Sequence, residues 1–234
     1  EEIITVTIND VNEAATDITI DSTTVDENAA INTVVGNLGN NDPDAGDTFT
    51  YTLVAGAGDT DNAQFNISGG QLRTSATFNH EVKDSYSVRV QVDDGNGGTY
   101  EEIITVTIND VNEAATDITI DSTTVDENAA INTVVGNLGN NDPDAGDTFT
   151  YTLVAGAGDT DNAQFNISGG QLRTSATFNH EVKDSYSVRV QVDDGNGGTY
   201  EEIITVTIND VNEAATDITC LLYTSPSPRD QAKS

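Results

Sequence analysis

Residues 85–92 read Ser-Tyr-Ser-Val-Arg-Val-Gln-Val, and every second residue of this stretch is apolar. Such alternation is typical of a β-strand with one face against a core and the other toward water. The same period of two recurs around Phe49, Phe65 and Ile104, and stretches rich in Gly, Asn and Asp separate these segments. No segment has a convincing helical period. The pattern therefore predicts an all-β fold.

About seven strands fit into each ~100 residues, and this number favours an immunoglobulin-like Greek-key sandwich. True immunoglobulin domains carry a Cys…Trp…Cys core, whereas this chain has no Trp and a single Cys. We therefore expect a related sandwich without that core. The predicted strands are 17–25, 31–37, 47–54, 63–68, 71–75, 84–92 and 99–109.

The chain is an exact tandem repeat, because residues 1–119 recur unchanged as residues 101–219. This period exceeds the ~20–50 residues of solenoid repeats and matches a small autonomous domain. We predict two complete seven-stranded sandwiches, at residues 15–114 and 115–214.

The two ends of the chain flank these predicted domains. Residues 1–14 are interpreted as the last strand and linker of a truncated preceding repeat. Residues 215–234 are interpreted as the start of a further repeat followed by a foreign or out-of-frame tail, since Cys220 stands where the repeat has Ile120. Cys220 is the only cysteine, so we expect no disulfide within the chain.

The composition is strongly acidic, with 40 Asp and Glu against 8 Lys and Arg and a formal net charge of −32. Nucleic acid is excluded as a partner, because phosphate binding needs Lys and Arg. No apolar run approaches the ~20 residues of a membrane helix, so we expect no membrane insertion of this fragment.

Five acidic clusters occupy predicted loops or strand ends, and any one of them alone would be an ordinary turn or solvated surface. The clusters are Val25-Asp26-Glu27-Asn28, Asp42-Pro43-Asp44, Phe78-Asn79-His80-Glu81, Val92-Asp93-Asp94-Gly95 and Asn109-Asp110-Val111-Asn112-Glu113. Their order and spacing resemble the cadherin repeat, and more closely the cadherin-like repeats arrayed in large bacterial surface proteins. The resemblance covers residues 1–219.

The resemblance implies calcium held between consecutive domains. Asn79 replaces an Asp of the family pattern, and Glu113-Ala114 replace the Asp-Asn that ends its linker, so the resemblance implies a weaker or smaller cluster than in vertebrate cadherins. The ligands implied are Glu27, Glu81, Asp110, Asn112 and Glu113 from the first repeat, and Asp142, Asp144 and Asp193 from the second.

Elementary chemistry supports the same cation. Calcium takes 6–8 oxygen ligands in a flexible geometry, and carboxylates gathered without a counter-ion repel one another. An oxygen-only ligand set favours calcium over zinc or copper.

These features predict a calcium-rigidified spacer or adhesion module of a larger extracellular or cell-surface protein, of bacterial type. Its partners would be neighbouring repeats through calcium, and another cell surface or a polysaccharide through other domains. The alternative is a ligand-binding module for carbohydrate or homophilic adhesion. Catalysis is not expected, because nothing marks a nucleophile beside the two histidines and the chain has no Trp for a sugar cleft.

Overall fold

The computed structural model describes residues 2–214, so the predicted final segment, residues 215–234, lies outside the described residues. The chain divides into two compact units of the same build. Of the described residues, the first unit contains residues 2–114 together with Asp142–Asp147 and Asn196–Gly198, and the second contains Ala115–Asn141, Thr148–Gly195 and residues 199–214.

The first unit is a sandwich of two four-stranded sheets, one ordered β1-β3-β6-β5 and the other β2-β8-β7-β4. A single 3₁₀ turn, Asn62–Gln64, precedes β5. The strands are β1 Asp17–Ile20, β2 Thr24–Asp26, β3 Val34–Asn41, β4 Thr50–Leu53, β5 Phe65–Ser68, β6 Gln71–Thr74, β7 Ser85–Asp93 and β8 Thr99–Asn109.

The second unit repeats this sandwich, with sheets β9-β11-β14-β13 and β10-β16-β15-β12 and a 3₁₀ turn at Asn162–Gln164. The prediction of tandem all-β sandwiches is confirmed. Its strands are β9 Asp117–Ile120, β10 Thr124–Asp126, β11 Val134–Asn141, β12 Thr150–Leu153, β13 Phe165–Ser168, β14 Gln171–Thr174, β15 Ser185–Asp193 and β16 Thr199–Asn209.

The predicted first strand, 17–25, is wrong as one element, because it divides into β1 and β2 on opposite sheets. β1 pairs antiparallel with β3, whereas β2 pairs parallel with β8. At the bend between them the Asp21 carboxylate accepts hydrogen bonds from the backbone and side-chain N–H groups of Asn37, both at 2.6 Å. The chain therefore changes sheets at Asp21, and each repeat has eight strands instead of seven.

The predicted strand 31–37 is also displaced, since β3 begins at Val34 and continues through Asn41. Asn32 has a left-handed backbone with φ of 72°, which is suited to a turn and excluded from a strand. At the other end, Asp17 of β1 pairs with Asn41, so residues that looked like a turn extend the ladder. The remaining predicted strands are confirmed with shifts at their ends.

The core lies between the two sheets and contains the inward residues of the predicted alternation. Val88, Val90 and Val106 have no exposed surface, and Leu72 from the opposite sheet is equally buried. Half-buried Tyr86 and Tyr100 pack against this cluster. The alternation in residues 85–92 therefore identified the core face correctly.

Residues 2–14 contain no strand, although the same sequence from residue 102 forms most of β8. Ile4 and Val6 are 83% and 80% exposed, whereas the identical Ile104 and Val106 are 6% and 0% exposed. The difference arises because β8 pairs with β7 over residues 99–107 and with β2 over residues 107–109. The expectation of a strand at residues 1–14 is thus not met in the described part, residues 2–14.

Within residues 2–214, no helix has the length and apolar character needed to cross a membrane.

Candidate metal centre

Glu27 is a buried carboxylate directly after β2, with 3% of its surface exposed. Its two oxygens accept hydrogen bonds from the backbone N–H groups of His80 and Val111, each at 2.9 Å. Burial raises the pKa of Glu27, but these backbone hydrogen bonds outweigh it, so the pKa lies below its ordinary value. The protein therefore holds this carboxylate charged and in one position.

Glu81 and Glu113 converge on Glu27, and each of the three offers a carboxylate oxygen within 4.8 Å of the others. Glu113 Oε1 accepts a hydrogen bond of 2.5 Å from Asn28 Nδ2. Its second oxygen is buried and has no hydrogen-bond partner among the described residues. Like charges at ~4 Å repel by about 1–4 kcal/mol at effective dielectric constants of 80–20. The three carboxylates therefore repel one another wherever they are charged together.

Asp110 and His80 border the same end of the repeat. His80 Nδ1 lies 3.3 Å from Glu81 Oε1 and 3.8 Å from Asp110 Oδ2. Desolvation and the charges of Asp144 and Glu81 raise the pKa of Asp110, while His80 opposes the rise. Donors from two parts of the chain, the consecutive residues His80 and Glu81 and the later Asp110, thus meet at the edge of the Glu27 cluster.

The loop Asp142–Asp147, which belongs to the first unit, carries the next predicted ligands. Asp142 Oδ1 accepts a hydrogen bond of 2.9 Å from the Asp144 N–H, an arrangement typical of an Asx turn. Asp144 Oδ2 accepts one of 2.6 Å from the Glu113 N–H. Asp142 Oδ2 and Asp144 Oδ1 are buried and have no hydrogen-bond partner among the described residues.

The structure therefore places every predicted site residue except Asp193 in the first unit. Asn112 lines a small cavity together with Asp110, Asp144 and Asp147. Asp193 lies in the second unit, where its carboxylate accepts a hydrogen bond of 2.8 Å from the Gly195 N–H.

Asp94 was not among the predicted ligands, but it is more buried than its neighbour Asp93. Asp93, the equivalent of the predicted Asp193, is exposed. Within the described part of the chain, its carboxylate accepts a hydrogen bond only from the nearby Gly95 N–H. Asp94 is 1% exposed and accepts a hydrogen bond of 2.9 Å from Asn12 Nδ2. Val88, Val90 and Val92 alternate inward, and the same alternation continued by two residues predicts that Asp94 also points inward.

The first copy of the loop, Asp42–Asp47, has the same build as Asp142–Asp147. The Asp44 N–H donates to Asp42 Oδ1 at 2.8 Å, and the Glu13 N–H donates to Asp44 Oδ2 at 2.6 Å. Carboxylate oxygens of Asp42, Asp47 and Asp94 lie within 4.8 Å of one another. Asp47 was not among the predicted ligands.

The second unit repeats the glutamate cluster with Glu127, Glu181 and Glu213. Glu127 accepts hydrogen bonds from the backbone N–H groups of His180 at 2.9 Å and Val211 at 2.8 Å. Hydrogen bonds to the Val211 and His180 N–H groups hold the pKa of Glu127 below its ordinary value. Each repeat therefore holds its buried glutamate with hydrogen bonds from its own backbone.

Mild acidification is expected to stabilise the calcium-free protein. The charge of Asp44 raises the pKa of Glu13, and desolvation raises that of Asp110, so the folded state binds protons that the unfolded state does not. Stability therefore rises as pH falls through these raised values toward the ordinary pKa of 4.5 for Glu and 3.8 for Asp. Glu27 has a lowered pKa, so its contribution is lost only below pH 4.5.

Melting temperatures measured in chelator from pH 7.5 to pH 3 test this expectation. They should pass through a maximum just above the ordinary carboxyl range. The variant Asp110→Asn removes a group with a raised pKa and should show a smaller rise on acidification. A melting temperature that falls steadily from neutral pH would contradict the assignment of these charges.

Comparison with known proteins places this geometry in a family. Residues 9–108 and 109–209 each match the family model described as bacterial Ig domain. Human protocadherin-16 is 28% identical over 182 residues, which are 74% of this chain and 6% of that protein. The chain therefore spans a small fraction of this curated relative.

Solved structures show the same fold. Human protocadherin-24 EC1-2 superposes with a TM-score of 0.64 at 17% identity, covering 81% of this chain and 95% of that one. Mouse cadherin-23 EC22-24 gives 0.62 at 22% identity, covering 86% and 68%. Because the family model matches both copies of the repeat, the chain belongs to the bacterial Ig domain family, as a tandem pair of cadherin-like repeats.

Proposed function

We propose that the chain binds calcium at the ends of its repeats. The proposed ligands of the first repeat are those predicted from the sequence, Glu27, Glu81, Asp110, Asn112 and Glu113. The second repeat would contribute Asp142, Asp144 and an Asp before its last strand. The burial of Asp94 and the exposure of Asp93 favour Asp194 over the predicted Asp193 for this last role.

The observation that carries the proposal is the buried, charged Glu27 with Glu81 and Glu113 converging on it. The donor set fits calcium, because it is rich in hard oxygens, and because Glu113 Oε2 and Asp144 Oδ1 are buried without a hydrogen-bond partner among the described residues. A bound calcium ion would neutralise the carboxylate repulsion and tie together chain segments far apart in sequence.

The biological role that we propose is an extracellular spacer in an adhesive protein of the cell surface. Calcium would couple each repeat to its neighbour and turn a flexible linker into a stiff connection. Contacts with another cell surface or a polysaccharide would belong to other domains. The role is one of binding and spacing, with no catalytic step.

Calcium is expected to raise the melting temperature strongly. For a dissociation constant of ~10⁻⁴ M, as in extracellular modules, about 10 mM calcium stabilises the folded state by about 2.7 kcal/mol. For a ~100-residue domain this corresponds to about 10 °C or more. Calorimetry and small-angle scattering in calcium and then in chelator test the stability and the stiffening separately.

Sodium chloride of equal ionic strength is the control, since general screening acts without a specific site. The same melting temperature in calcium and in chelator would refute the calcium site. A raised melting temperature with unchanged scattering would refute only the spacer role.

A further inference from the structure

His80 brings a nitrogen donor into a cluster that the sequence predicted to contain oxygen ligands only. Its Nδ1 lies 3.3 Å from Glu81 Oε1 and 3.8 Å from Asp110 Oδ2, and donor atoms of all three residues lie within 4.8 Å of one another. We propose that His80, Glu81 and Asp110 form a site for a divalent first-row transition metal such as Zn²⁺.

The spacing of the donor atoms suits such an ion. With bonds of about 2.0–2.2 Å, neighbouring ligand atoms in a tetrahedral zinc site lie about 3.3–3.6 Å apart. The distance between His80 Nδ1 and Glu81 Oε1 falls in this range. The distance between His80 Nδ1 and Asp110 Oδ2 exceeds the range by a few tenths of an ångström. A small rotation of the exposed Asp110 side chain would close the site.

The donor types select the metal class. Imidazole and carboxylate together bind zinc, copper and nickel well, whereas calcium takes oxygen donors. Side-chain exposures of 31% for His80 and 56% for Asp110 let a hydrated ion reach the site. Pro143 and Ala145 complete the cavity wall, leaving room for water as a further ligand.

His180 has the same sequence surroundings but a different contact. Its Nδ1 donates a hydrogen bond of 2.8 Å to the Ile208 carbonyl oxygen. His80 Nδ1 lies beside the Glu81 carboxylate, whereas His180 Nδ1 is held on a backbone oxygen, and either atom must lose its proton before it binds a metal. The second histidine is thus a matched internal control.

The site does not require calcium binding, but it shares Glu81 and Asp110 with the proposed calcium set. Zinc and calcium would therefore compete for these two carboxylates. The zinc site is therefore tested by zinc titration, and the calcium site by the calcium-dependent melting temperature.

Calorimetric titration of the full chain with Zn²⁺ at pH 7.5 tests the inference. All proteins carry Cys220→Ser, since a thiolate would bind the same ions. We expect His80→Gln to weaken zinc binding at least about tenfold, since loss even of an outer partner costs 10–100-fold. His180→Gln should leave the affinity unchanged. Equal effects of the two substitutions, or no zinc binding by the parent chain, would overturn the site.

A second measurement leaves His80 intact. In His180→Gln the chain has one histidine, so its imidazole proton resonances report on His80 directly. Zinc should shift these resonances, and added calcium should reverse the shift. Resonances that ignore zinc would rule out ligation by His80.

Calcium titration of the same proteins separates the two proposals. His80→Gln should keep the calcium-induced rise in melting temperature, because the oxygen ligands remain. If that rise persists while zinc binding is independent of His80, only the transition-metal site fails. If zinc binding depends on His80 while calcium has no effect, only the proposed calcium function fails.

Discussion

Phe78→Ala is expected to destabilise the first repeat by about 3–5 kcal/mol, the usual loss for a buried aromatic side chain. Phe78 is 4% exposed and stacks on Phe65 with ring centroids 5.2 Å apart, and Tyr86 packs at 4.6 Å. For a domain of ~100 residues the loss lowers the melting temperature by more than about 10 °C. Calorimetry should resolve an early transition from that of the unchanged second repeat.

The duplicated sequence supplies the controls for this prediction. Phe178→Ala should produce the same early transition, because Phe178 has the same stacking contacts with Phe165 and Tyr186. Val82→Ala removes two methyl groups from a residue that is 84% exposed and should leave the curve unchanged. An unshifted transition in Phe78→Ala would contradict the aromatic core described above.

Glu27→Ala is expected to cost about 2–4 kcal/mol even without calcium. The substitution leaves the N–H groups of His80 and Val111 without their acceptor, and unsatisfied buried donors cost about 1–3 kcal/mol each. Chemical denaturation in chelator measures this loss. In calcium the difference from the parent chain should grow, because the same carboxylate is a proposed ligand.

Glu27→Gln separates the two roles of this residue. Glutamine lacks the charge and has one carbonyl oxygen, which can accept only one of the two backbone hydrogen bonds. Part of the calcium-free loss should therefore remain, and the calcium-dependent gain should be reduced. Asp59→Asn, outside the cluster, should leave the calcium-dependent gain unchanged. If Glu27→Gln and Asp59→Asn respond equally to calcium, Glu27 is not a ligand.

The period-two pattern was sufficient to predict the fold class and the core, since inward residues such as Val88 and Ile104 follow directly from alternation. The change of sheet at Asp21 was not predictable from this pattern, because it depends on the tertiary hydrogen bonds from Asn37. The length of β3 was missed for a similar reason. Asn40 and Asn41 have the composition of a turn but pair with β1.

For the site, the sequence predicted a set of acidic ligands but not how the structure holds them. The backbone hydrogen bonds to Glu27 come from residues far along the chain, and no local pattern reports them. The burial of Asp94 could have been predicted from the period-two alternation, whereas its neighbour was chosen from the family resemblance. The predicted ligands, the identity of the metal that they would bind, and the domain limits at residues 15–114 and 115–214 stay predictions.

The parallel pairing of β2 with β8 has a mechanical consequence. Thr24–Asp26 lie beside Thr107–Asn109, near the start and the end of one repeat, and the Thr107 and Glu27 N–H groups extend the pairing at either side. Pulling on the two termini drives these parallel strands past each other and loads all of their hydrogen bonds in shear at once. A tether built from such repeats resists force until this whole patch ruptures, instead of peeling open bond by bond.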